Sequence, residues 1–138
     1  LKIFENRNYS FCKGTRFKNK LNKEKIPKIR LIGNIILTYI SRITCANNEI
    51  TDVVNGFLCI RSQLLKKINF NRISNDFFFE EDLLFNISFF EKKIKEVEIK
   101  TIYNNKSSLS PIKTILPFIF KHFKNYILRL TNNYEKYR

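Results

Sequence analysis

The sequence predicts an α/β fold: an incomplete mixed sheet with flanking helices and a basic amphipathic helix at its C-terminal end. Three observations carry that expectation. Short β-prone runs alternate with stretches of helical periodicity. Their order along the chain reads β, α, β, α, α, β, α. Strands are too few for a complete sheet, which implies a partner half.

The first strand is expected at Phe11-Cys12-Lys13-Gly14-Thr15-Arg16-Phe17, running into a loop. Pro27 then introduces a helix, where Ile32, Ile35, Ile36, Tyr39, Ile40 and Ile43 repeat every three or four residues. Asn47 and Asn48 end it. Gly56 to Ile60 is short and apolar, as a buried strand would be. Ser62 is placed to cap a brief helix through Leu64, Leu65 and Ile68.

The most informative stretch follows. Glu80, Glu81 and Asp82 come after an aromatic run and open a helix whose Leu83, Leu84, Ile87 and Phe90 share one face. Acids in a first turn are favoured by the free N–H groups and the helix dipole, and that alone is one reading of the cluster. Val97, Ile99 and Ile102 read as a strand ending at Tyr103, followed by a polar loop from Asn104 to Ser110. From Pro111 onward, Ile112, Ile115, Leu116, Ile119, Phe120, Phe123, Ile127 and Leu130 form another stripe, with Pro117 expected to kink it or delay its start. Lys113, Lys121, Lys124 and Arg129 lie opposite. Such a helix either lies on an anionic membrane surface or packs on a core with its basic face solvated.

The chain has 138 residues, 43% of them hydrophobic, enough for a core of its own. Methionine is absent even at position 1, and glycine numbers three, so the chain reads as a fragment. A net charge of +14 implies an anionic partner: nucleic acid, a membrane surface or phosphorylated substrates. Cys12, Cys45 and Cys59 are odd in number and lack C-x-x-C spacing. With the lone His122 they suit neither a zinc site nor a disulfide framework, and buried free thiols are expected. No run is apolar enough to span a bilayer, and neither a membrane span nor a signal peptide is expected from these residues. No helix-turn-helix, zinc finger or RNP-like run supports the competing reading, a small basic nucleic-acid-binding protein.

In order, these landmarks resemble the C-terminal, acceptor-side half of bacterial family 2 glycosyltransferases of GT-A type, near the polyprenyl-phosphate sugar transferases. Lys13-Gly14-Thr15-Arg16-Phe17 is similar to the family's K-G-N/S-R-F segment, and Arg30-Leu31-Ile32-Gly33-Asn34 to its R-x-x-G-N helix start. Asp52 to Phe57 resembles D-x-x-N/S-G-F/Y, and Phe79 to Leu84 resembles F-E-x-D-L-L. Val97-Glu98-Ile99 through Tyr103, then Ser108, resembles V-P-I … Y-x-x-E-x-S, with Glu98 in place of the proline and Lys106 in place of the glutamate. The family's D-x-D, which holds metal and diphosphate, has no counterpart, since Asp52, Asp76 and Asp82 are the only aspartates.

The resemblance implies that residues 1–110 are the C-terminal part of a catalytic domain lacking its donor half, and 111–138 a basic helical tail. It implies sugar transfer from a nucleotide-diphosphate sugar to a polyprenyl phosphate or saccharide by inverting displacement, with little activity from the chain alone. Asp82 is then the candidate base and Glu80 its neighbour, with Glu81 expected to point away as a solvated residue. Arg16 and Arg30 are candidate phosphate contacts, and Asp52, Asn55 and Ser108 candidate acceptor contacts. A divalent cation, Mg or Mn, belongs to the complete enzyme, and none is expected on this fragment. The expected place is the cytoplasmic face of the plasma membrane, peripherally bound, with no nucleic-acid partner.

Overall fold

The computed structural model describes residues 9–18, 26–100 and 111–131, and the side chains of all but 111–115 among them. Three strands, β1 (Phe11–Thr15), β2 (Leu58–Ile60) and β3 (Ile94–Glu98), form a mixed sheet in the order β2-β1-β3. β1 pairs antiparallel with β2, setting Cys12 opposite Cys59, and parallel with β3, setting Phe11 opposite Ile94 and Thr15 opposite Glu98. Four α-helices accompany it among the described residues: α1 (Lys28–Cys45), α2 (Ser62–Leu65), α3 (Phe79–Ile87) and α4 (Pro111–Leu130). The expected order of elements is therefore present in full.

Local chemistry accounts for most boundaries. Pro27 occupies the N-cap of α1, where its missing N–H costs nothing. Ala46, at φ 49°, closes that helix in the left-handed region, one residue before the expected asparagines. Ser62 is the first residue of α2 rather than its cap, a position held by Arg61 without a side-chain hydrogen bond. β2 is an edge strand of half-buried and exposed residues, not a buried one. β3 begins earlier than the periodicity suggests, and Ile102, Tyr103, Lys106 and Ser108 lie outside the described residues. α4 runs through Pro117 without interruption.

The core gathers Phe11 from β1, Leu83, Leu84 and Ile87 from α3, Ile94 from β3, and Ile50 and Val53 from the loop after α1. α3 meets its expectation, burying Leu83, Leu84 and Ile87. α1 and α4 do not use their apolar stripes in this way. α1 buries Thr38, Ser41, Thr44 and Cys45, while Ile32, Ile35, Ile36, Tyr39 and Ile43 are exposed. α4 buries Phe118, His122 and Asn125, while Leu116, Ile119, Phe120, Phe123, Ile127 and Leu130 are exposed. α4 therefore packs on the body through Phe118, His122 and Asn125, and its apolar stripe faces outward. Among the described residues no helix is long and apolar enough to cross a membrane.

Candidate functional site

Three separated stretches meet beyond the C-terminal end of β1. As β1 runs out, Arg16 turns back toward the loop after α1 and grips Asp52 at two points: Nε donates to Oδ2 and Nη2 to Oδ1, each at 2.7 Å. The Arg16 backbone N–H adds a third bond to Oδ2 at 3.0 Å. Asp52 is fully buried, so a planar guanidinium fork that satisfies both its oxygens is the arrangement its burial requires. The expected phosphate contact, Arg16, is thus turned to an internal carboxylate.

Beneath this pair lies Lys13, a cation in the middle of an otherwise apolar strand. It is buried, and its Nζ donates to the Asn55 carbonyl. Burial lowers its pKa, while Asp52, Glu81, Glu80 and Glu96 oppose that shift. Glu96 accepts from the Thr51 N–H at 2.6 Å and from the Thr51 hydroxyl at 2.5 Å, and Thr51 in turn meets Thr15 at 2.7 Å. Lys13 is therefore a buried cation held by the Asn55 carbonyl and favoured by the field of four carboxylates. The sequence signal for it was a lysine inside a strand.

The surface above is an open cleft of about 640 Å³ lined by Arg16, Asn55, Gly56, Phe57 and Lys100, among others. Gly56 admits Glu80 here: a Cβ on Gly56 would stand 3.1 Å from Glu80 Oε1. Gly14 is equally tight, since a Cβ would come within 2.9 Å of Phe57 Cβ. Asn55 is buried, its Oδ1 accepting from the Phe57 N–H at 3.0 Å, while among the described residues its Nδ2 has no hydrogen-bond partner.

The three acids of α3 go three ways, because successive helical residues point about 100° apart. Glu80, half-buried, faces Gly56. Asp82 turns instead to a cavity of about 310 Å³ between α3 and α4, lined with Arg72, Ser74, Lys121, Lys124 and Asn125. There it accepts from the Ser74 N–H at 3.0 Å, from the Ser74 hydroxyl, and from Asn125 Nδ2 at 3.0 Å. Lys121 braces the same corner, donating to Ser74 Oγ at 2.9 Å and to Asp76 at 2.6 Å.

Glu81, expected in solvent, is buried, and this corrects the sequence reading. Its Oε2 accepts from the Ser41 hydroxyl at 2.7 Å and lies 3.6 Å from His122 Nε2. His122 Nδ1 approaches Thr44 Oγ1 at 3.4 Å. Burial pushes the Glu81 carboxyl up to about 7, and burial pulls the His122 imidazole down to about 4. Both shifts oppose charging, so burial weakens the ion-pair character of the 3.6 Å approach. The polar inward face of α1 follows from this cluster. Ser41 and Thr44 serve Glu81 and His122, and Thr38 Oγ1 accepts from the Val53 N–H at 3.2 Å.

Of the expected site residues, Arg16, Asp52, Asn55 and Glu80 are brought together. Asp82 faces a different cavity, and Arg30 sits half-buried in the first turn of α1, in the lining of neither. Ser108 lies outside the described residues. Cys12 and Cys45 are buried free thiols as expected, but Cys59 is exposed. Among the described residues no three His, Cys, Asp or Glu side chains converge to hold a metal ion. Comparison with family models, curated proteins and solved structures finds no match to this chain.

Proposed function

We propose that the chain is the acceptor-side part of a GT-A type glycosyltransferase, acting at a membrane surface on a saccharide or polyprenyl-phosphate acceptor. One observation supports this above the others. Three distant stretches that each resemble a family motif meet here: Arg16, Asn55 and Gly56 line the cleft, Lys13 and Asp52 bond to its wall from beneath, and Glu80 stands against Gly56. A helix-tip decoration has no reason to collect them.

In this reading the acceptor lies over Gly56 and Asn55. A saccharide hydroxyl gives its proton to Glu80 as its oxygen attacks the anomeric carbon, and the nucleotide diphosphate leaves with the electron pair of the broken bond. Lys13 and the Arg16–Asp52 pair hold the loop that carries Asn55 and Gly56 in place. A polyprenyl phosphate needs no base, and Lys100, exposed at the cleft, offers it a cation. Glu80 replaces Asp82 as the preferred base because it faces Gly56 of the cleft wall, whereas Asp82 lines the other cavity. Asp82, bonded to Ser74 and Asn125, anchors α3 to α4.

The test titrates the chain with farnesyl phosphate, an oligosaccharide and a DNA duplex while its amide resonances are followed. Acceptor analogues are expected to move the Asn55, Gly56 and Lys100 signals. A steep salt-dependent response to DNA, with none to the analogues, would replace this reading by the nucleic-acid one. In an enzyme joining this chain to a donor half, Glu80→Gln is expected to lower transfer to a saccharide by about 100-fold or more. Asp82→Asn is expected to act chiefly on stability. Full turnover by Glu80→Gln would remove Glu80 from the mechanism.

A further inference from the structure

We propose that α1 and α4 together form a lipid-docking surface that seats the molecule on an anionic bilayer. The proposal rests on the membrane-surface part of the reading above and is independent of its chemistry. α1 and α4 pack beside one another, linked through Thr44 and His122, and each turns its polar side inward. Their outward sides carry Ile32, Ile36 and Tyr39 on α1 and Phe120, Phe123 and Ile127 on α4, each at least 42% exposed. Apolar area of this extent on two adjacent helices marks a contact surface rather than scattered exposure.

Charge identifies the occupant. Neither helix contains an aspartate or glutamate, and the exposed Lys28 on α1 and Lys124 on α4 border the apolar face, while Lys121 and Arg129 are turned to Asp76 and Ser88. Four of the chain's twelve carboxylates, Asp52, Glu81, Asp82 and Glu96, are buried and offset little of the surface charge. A second copy of the chain would bring one +14 molecule against another through helices whose only charges are positive. An anionic lipid surface reverses that sign: it receives the isoleucines and phenylalanines at the acyl boundary and the flanking bases at the headgroups. This differs from the expectation for the tail helix alone, because α1 supplies about half of the surface.

The chain is to be mixed with vesicles of phosphatidylcholine, with and without one part in three of phosphatidylglycerol, and the bound fraction read by sedimentation. Binding is expected on the anionic vesicles, weakened by salt. The pairs Ile32→Ser with Ile36→Ser, and Phe120→Ser with Phe123→Ser, leave the charge unaltered and are each expected to weaken it roughly tenfold or more. These side chains are exposed, so unchanged circular dichroism is expected to verify folding. The chain lacks tryptophan, so Phe123→Trp supplies a single indole whose emission is expected to shift blue on the vesicles. Anionic binding that both serine pairs leave intact would overturn the proposal, reducing it to charge attraction alone. So would equal binding to neutral vesicles, or a stable dimer that the pairs dissociate while vesicles stay bare. No sugar donor enters these mixtures, so failed docking and failed transfer are separate results.

Discussion

At Asp52 a carboxylate excluded from water accepts three hydrogen bonds from one arginine. Removing one partner of a buried pair leaves the other uncompensated, which costs far more than the net value of the pair. Asp52→Ala is expected to lower stability by about 3–5 kcal/mol, read from the denaturant midpoint. Glu81 and His122 are a second residue-scale case. Glu81, with its folded pKa raised to about 7, holds its proton where the unfolded chain has released it, so its contribution fades as pH rises from the ordinary carboxylate range through 7. His122, lowered to about 4, resists protonation in the folded state, so its contribution grows as pH rises from about 4 through the ordinary imidazole range. Across the overlap the slopes oppose each other, and the intact chain is expected to be nearly flat. Glu81→Gln is expected to leave stability rising with pH there, and His122→Gln to leave it falling. Melting temperatures between pH 4.5 and 6.5 check both signs, and two single variants as flat as the parent would contradict the arrangement.

At the scale of elements, helical periodicity located α1, α3 and α4 correctly, but it identifies a stripe without saying which way the stripe turns. In α3 the apolar side is inward, because Leu83, Leu84 and Ile87 meet Phe11 and Ile94 in the core. In α1 the buried acid and imidazole at Glu81 and His122 demand hydroxyl partners, so Ser41 and Thr44 turn inward, as does Thr38 to accept from the Val53 N–H. The contrast has a direct measurement. Leu84→Ala is expected to cost about 2–5 kcal/mol, and Ile36→Ala less than about 0.5 kcal/mol. Similar losses at both positions would mean that the α1 stripe is covered. The acids of α3 belong to this scale as well, since they are adjacent in sequence yet reach three different surroundings.

At the scale of the molecule, a three-stranded mixed sheet brings the loop after α1 to Lys13 and Arg16, while the two long helices carry apolar surface outward. Carboxylates inside and bases outside make the exterior more positive than composition suggests. By itself the sequence determined the α/β order, the strand at Phe11–Thr15 and the acidic first turn of α3. These follow from local propensity and from periodicity. Tertiary structure alone decided that Asp82 leaves the cleft, that Glu81 is buried against Ser41, and that α1 and α4 are inverted. The physical reason is hydrogen-bond satisfaction: a buried polar group must find partners through space, and one-dimensional patterning does not encode where those partners stand.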